Sequence, residues 1–185
     1  MTIATSEKLK IDYLTLGFMV AIHIGAVFAF LPGNFSWSAV GLAIFLHWLT
    51  GGLGITLGWH RLMSHRSFQV PKWLEYTLVF FGSLAMQGGP IWWVGLHRHH
   101  HLYSDQPNDH HDSTKGFWWS HMEWMLREVP AEEEVPKFTK DMADDKFYQF
   151  LENYFALLQV ALGILLYAIG GWSVGAGLPL HLAGE

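Results

Sequence analysis

The sequence predicts an all-α fold: an integral membrane helical bundle with a cytoplasmic histidine-rich metal-binding cap. Three observations predict it. Long apolar runs are almost free of charge, the positive charges gather on one side of them, and the histidines fall into tight groups. Charged residues make up 15% of the 185 and hydrophobic residues 51%, against roughly 25% charged in soluble domains. That balance points to lipid as the solvent.

From Tyr13 to His60 there is not one Asp, Glu, Lys or Arg. A crossing needs about 20 apolar residues, so this stretch holds two. The only turn signal inside it is LPGNFS, Leu31–Ser36, where Pro, Gly and Asn fall together. A helical hairpin follows, with spans at about 13–31 and 37–59. A soluble helical pair is the bland alternative, but so short a chain has no outer layer to cover it. The polar start MTIATSEKLK leads into a run too long for a signal-peptide core and without a small-residue cleavage pattern, so a retained span is expected.

A third apolar run, about 73–94, contains Glu75 and Gln87 and breaks at Gly88-Gly89-Pro90. A fourth, about 147–172, is long enough to cross. Between them lies a charged, histidine-rich segment that includes PAEEEVPKF, read as a solvated loop or surface helix. Lys8, Lys10, Arg61, Arg66, Lys72, Arg98, Lys115 and Arg127 flank the runs on one side, whereas LPGNFS has no charge. By the positive-inside tendency, the N-terminus and the histidine groups are placed in the cytoplasm. FWWSHMEW, Phe117–Trp124, has the Trp content of a helix at the membrane–water boundary.

Composition also excludes chemistries. With no cysteine, disulfides, thiolate catalysis, iron–sulfur clusters and Cys-ligated zinc are ruled out. A net charge of −5 without a basic block argues against nucleic acid as a partner. The twelve histidines leave imidazole as the metal donor. One group is His60 and His65, where the second span emerges; the other is His97-Arg98-His99-His100-His101. On a helix His97, His100 and His101 share a face, and His99 points elsewhere. The five-residue spacing of His60 and His65 calls for a frayed or turning helix end. Single histidines in apolar runs, such as His23 and His47, read as packing residues.

For both groups to serve one metal site they must lie on one side of the membrane. The run 73–94 between them is then expected to dip in and return, or to lie along the interface, as its Gly-Gly-Pro break suggests. Imidazole suits iron, zinc and copper alike.

These segments resemble the membrane fatty-acid desaturases. WHRLMSHRSF, Trp59–Phe68, is similar to that family's first histidine box, and LHRHHHLYSDQPNDHHDSTKGFWWSHMEW, Leu96–Trp124, to its second with the sequence that follows. The likeness covers roughly 50–126 and is greatest to acyl-lipid Δ9 desaturases of cyanobacterial type. It implies iron, two ions in the complete protein, with His60, His65, His97, His100 and His101 as ligands and His99 at the variable position. It further implies Gln87 and Trp93 at the acyl channel or its entrance, and His121 in a supporting role behind the ligands or in the framework. The implied partners are the acyl chain of a membrane lipid, O2 and an external electron donor, ferredoxin in such relatives. The implied reaction is introduction of a double bond, with the Δ9 position coming from the resemblance alone. Animal acyl-CoA desaturases carry an Arg-Asp pair just before the second box; Gly95 and Leu96 stand there in this chain. An uncharged pair offers phosphates nothing, which favours a glycerolipid-bound chain over acyl-CoA.

The family's third box does not follow the fourth run, where His181 is the sole later histidine. The expectation is a single desaturase domain over 1–185 that is C-terminally incomplete and lacks a full di-iron site on its own. Related readings are a membrane hydroxylase or ketolase, an acyl-CoA desaturase, a metal transporter and a non-catalytic interaction fragment. A transporter would place its ligands mid-bilayer, whereas these groups sit at the ends of spans beside Arg.

Overall fold

A computed structural model describes residues 9–31, 35–106 and 108–175. Among the described residues every regular element is helical, and a single bridge pairs Ile11 with Arg127. Residues 32–34 of the expected LPGNFS turn, and the tail that holds His181, lie outside the described residues.

The first helix, α1, runs Tyr13–Phe28. Asp12 starts it by accepting hydrogen bonds from the amides of Leu14 and Thr15, at 2.9 and 3.1 Å. Its 16 residues fall short of the length anticipated for 13–31. Pro32 in the sequence disfavours helical backbone at Leu31 and so limits the last turn. The second helix, α2, is continuous over Trp37–Ser64, five residues beyond the boundary expected at 59. It and residues Lys146–Gly170 of the last helix are the two described stretches long and apolar enough to cross a bilayer.

The apolar run 73–94 folds as two helices, α3 (Lys72–Ser83) and α4 (Pro90–Tyr103). Between them Met86 and Gly88 take left-handed backbone, with φ of 57° and 94°. Gly88 suits this conformation, since it has no Cβ to clash. Pro90 occupies the first turn of α4, where its missing N–H costs nothing. A short α5 (Phe117–His121) and α6 (Val135–Phe138) lead to α7, Lys146–Gly175.

The core lies where α2, α3, α4 and α7 meet, around Trp59, Leu62, Leu78, Val79, Val94 and Leu151. Trp59 is completely buried, and its indole N–H donates to the Val79 carbonyl at 3.0 Å. Backbones touch at Gly54, where a Cβ would overlap Phe81 and Gly82. At Gly82 it would overlap the Trp59 ring, so these two glycines let α2 and α3 close on each other.

One carboxylate from α7 holds the start of α4. Glu152 accepts from the Ile91 amide at 2.7 Å and the Trp92 amide at 3.3 Å, filling donors that a helix N-terminus leaves unpaired. A negative charge there is also favoured by the helix dipole. Glu152→Ala strands these amides and is expected to lower stability by about 1–3 kcal/mol, whereas Glu152→Gln keeps an acceptor and loses less. Thermal unfolding in detergent ranks the three proteins; equal midpoints sink the capping role.

Candidate metal centre

The end of α2 and the middle of α4 bring two histidine groups face to face. Helix α2 from Trp48 to Ser64 is wound with i→i+5 hydrogen bonds, a wide winding usually confined to single turns. The His65 amide donates to the His60 carbonyl at 3.0 Å, so residues five apart stack on one face. Of the frayed or turning end anticipated from the spacing, the turning one is found: the helix is widely wound up to Ser64 and the chain turns at Arg66. On α4, ordinary helical spacing puts His97 and His101 one turn apart.

The four rings form the corners of a near-square. Ring centroids of His60–His65, His60–His97, His65–His101 and His97–His101 are 4.5, 4.6, 4.5 and 4.6 Å apart. Nε2 atoms are 2.9 Å apart in the His60/His65 pair and 3.0 Å apart in the His97/His101 pair. One ligand atom from each residue lies within 4.8 Å of all the others. Two nitrogens at right angles on metal bonds of about 2.1 Å would stand roughly 3.0 Å apart. The donor set therefore fits a transition metal that accepts imidazole.

A metal needs neutral imidazole, and burial supplies it. Burial, joined by the neighbouring His101, His60, His100 and His65, pushes His97 down to about 3. The same causes, burial first and then His65, lower His101. Beneath the cluster Trp93 stacks on His97 at 4.9 Å, and Trp59 backs Trp93 at 5.7 Å. The Trp93 indole donates to Gln87 Oε1 at 3.2 Å. Gln87 also lines a cavity of about 340 Å³ with His47, Thr50, Leu84, Gln159 and Leu162.

His100 stands apart from the square. Its Nδ1 lies 2.8 Å from Asp109 Oδ1, and Asp109 is 1% exposed. Burial works against the Asp109 charge, but hydrogen bonds from His100 and from the Asp105 and His111 amides hold its carboxyl below the usual range. With the carboxylate as acceptor, Nδ1 carries the proton and Nε2 keeps its lone pair, the arrangement that orients metal-binding histidines. Asp109 escaped the sequence reading, although an acidic residue nine positions after a clustered His was a visible signal. His99 turns the other way and is buried beside Tyr103 and Phe138. His121 stacks on Phe117 at 5.3 Å and is not part of the four-histidine group.

Acid should loosen this centre. Burial also drives His110 down to about 4. Between about pH 6.5 and these lowered values the unfolded chain binds more protons than the folded one. The contribution of these two histidines to the stability of the metal-free protein is therefore flat above about pH 6.5. It falls as pH drops, towards 4 for His110 and 3 for His97. Each group changes the unfolding equilibrium by at most about tenfold per pH unit. Melting in detergent from pH 8 to 4 checks this; an unchanged midpoint below pH 6 contradicts it.

Known proteins resemble the chain over most of its length. The family model described as fatty acid desaturase matches residues 35–184. The chain is 62% identical over 173 residues to an sn-1 stearoyl-lipid 9-desaturase of Anabaena variabilis, covering 94% of this chain and 64% of that protein. It is 58% identical to the sn-1 stearoyl-lipid 9-desaturase of a Synechocystis species, covering 91% of this chain and 53% of the relative. To an sn-2 palmitoyl-lipid 9-desaturase of a Nostoc species it is 47% identical, with coverages of 88% and 58%. The chain thus spans between about half and two thirds of the length of these curated relatives. With its family model matched over most of its length, and four imidazoles converging from the two segments that suggested the family, the chain belongs to the fatty acid desaturases.

Proposed function

We propose that this chain supplies the first metal half-site, and a ligand of the second, in an iron-dependent desaturase that introduces a Δ9 double bond into a saturated acyl chain of a membrane lipid. The observation that carries the reading is the square of His60, His65, His97 and His101. These four would hold one iron. His100, turned by Asp109, would offer Nε2 to the second. When bound, the iron supplies the activation of O2 needed to remove hydrogen from two adjacent methylenes, with electrons from an external donor such as ferredoxin.

The remaining work belongs to the chain's own groups. Trp93 and Trp59 wall the histidines from below, and Gln87, held by Trp93, stands between that wall and the cavity at Leu84 and Leu162. An acyl chain has no polar handle near the reacting bond, so its position is set by shape along such a wall. Gly95 and Leu96 support a lipid-bound substrate over acyl-CoA. A Cβ at Gly95 would crowd Val135 and Thr139, and Leu96 is buried against Val129 and Val135, so no charged pair fits there.

In the bilayer the apolar run 13–31 that contains α1, together with α2 and α7, would cross, with the histidine centre and the N-terminus on the cytoplasmic side. The segments α3 and α4 would return to the side they left, since neither alone reaches about 20 residues. His121, on a short helix with exposed Phe117 and Trp118, would sit at the interface in a framework role. The test is the glycerolipid acyl profile of a strain without Δ9 desaturation. That strain would express the chain alone, or joined to the part of the Anabaena relative that lies beyond the match. Monounsaturated chains with the bond at carbon 9 are expected from the joined protein. Oxygenated acyl products would make it a hydroxylase, and iron binding without any product would defeat the catalytic reading.

A further inference from the structure

The two histidine segments are tied together behind the rings as well as meeting at them. Arg66 directly follows His65, and Arg98 directly follows His97. Both guanidinium groups end on one carboxylate, Asp141, in the turn between α6 and α7. Arg98 grips it with two nitrogens, at 2.7 and 3.1 Å, and Arg66 reaches it at 2.6 Å. Arg98 also donates to the Met63 carbonyl at 2.6 Å, between His60 and His65 on α2, and to the Phe138 carbonyl at the end of α6. The Met63 carbonyl lies in the last turn of α2, where carbonyls lack helical partners. The two-nitrogen grip fixes direction as well as distance. Arg66 itself adopts left-handed backbone, φ 51°, which turns the chain sharply after His65.

We infer that Asp141 is a positioning residue: through Arg66 and Arg98 its carboxylate sets the separation and tilt of the α2 end bearing His60 and His65 against the α4 turn bearing His97 and His101. Arg66 is 64% exposed, so its ion pair alone contributes little to stability, whereas Arg98 is 15% exposed. The geometric content lies in one acceptor shared by both ligand segments. A fork that also caps α2 gives Arg98 a role that lysine's single ammonium cannot fill.

The inference rests on the reading that the four imidazoles take a metal, and the experiment separates the two. The full chain in detergent is titrated with Co2+, and the visible absorption of the bound ion is recorded. Asp141→Asn is expected to weaken Co2+ binding roughly 10–100-fold, as loss of groups that orient ligands does, and to alter the band shape, with Asp141→Glu recovering most of both. Wild-type affinity and spectrum in Asp141→Asn, whatever its melting temperature, overturn the inference. Should Asp141→Asn not fold, Arg66→Ala, which cuts the exposed arm alone, is expected to show a smaller loss in the same direction; no loss overturns the inference. The chain has no cysteine, so a His65→Cys/His101→Cys pair offers a readout without metal. Its capture by a short bis-alkylating reagent, a dibromide that forms a thioether with each thiolate and releases two bromides, should fall several-fold when Asp141→Asn is added. If the wild-type chain takes up no Co2+, the metal reading fails and the capture yield alone decides the positioning role: a drop supports it and an equal yield overturns it.

Discussion

His97→Ala is expected to abolish metal binding at micromolar concentrations, weakening Co2+ or Fe2+ affinity by more than roughly 100-fold, since loss of groups merely behind the ligands already costs 10–100-fold. His97 is one corner of the square and the one backed by Trp93. It lies 4.6 Å from both His60 and His101 and 5.5 Å from His65, between centroids. Trp93 holds it from the far side, and burial keeps it neutral down to about pH 3. Its lone pair is therefore available at neutral pH without displacing a proton. Removing it leaves three donors, of which His65 and His101 are exposed. The matched control is His99→Ala, two residues along α4, whose ring packs on Tyr103 and Phe138 and should leave affinity unchanged. Equal affinity in His97→Ala and wild type, by absorbance titration, would remove the four-histidine site from consideration. The same variant lacks a histidine held down to about 3, so its metal-free form should lose less stability between pH 6 and 4.

Trp59→Ala should be the most destabilising single core change, at about 3–5 kcal/mol. Its side chain is fully buried, fills the space left by Gly82, and donates to Val79. The substitution leaves a cavity at the tightest crossing of the bundle and removes the indole's hydrogen bond to the Val79 carbonyl, which keeps the Ser83 hydroxyl as a donor. For a chain of this size each kcal/mol moves the melting temperature by about 2–4 °C, so a fall on the order of 10 °C is expected in detergent. Trp59→Phe should recover much of the packing and none of the hydrogen bond, landing between the two. Because Trp59 backs Trp93, and Trp93 backs His97, weaker Co2+ binding should accompany the loss. A melting temperature within 2 °C of wild type would show that the crossing closes without the indole.

Much of the helical architecture was legible because its signals are local. Apolar runs free or almost free of charge mark α1, α2 and α7, and Gly88-Gly89-Pro90 marks the break that separates α3 from α4. The convergence of His97 and His101 follows from helical period alone. His60 and His65 were legible as a pair but not in their geometry, since nothing in a five-residue spacing distinguishes a frayed end from a widened helix. Asp141 stands 43 residues from Arg98, and Glu152 stands 61 from Ile91. Such partners are chosen by packing, after the helices have met, and no periodicity announces them. His100 shows the boundary between the two kinds of information. Its place on the metal-facing side of α4 could be read from spacing, but its separation from the square depends on Asp109, fixed by the turn that follows.

The wide winding of α2 has a consequence for how this segment can drift over generations. Between His60 and His65 the four intervening positions contribute to the rings mainly by number. A replacement there alters burial or a surface contact and leaves the angular phase of the two imidazoles intact. Gaining or losing a single residue rotates one ring out of phase with its mate by most of a quarter turn. The segment therefore behaves like a combination lock whose letters can be exchanged but whose count cannot, and insertions or deletions should be far rarer there than substitutions.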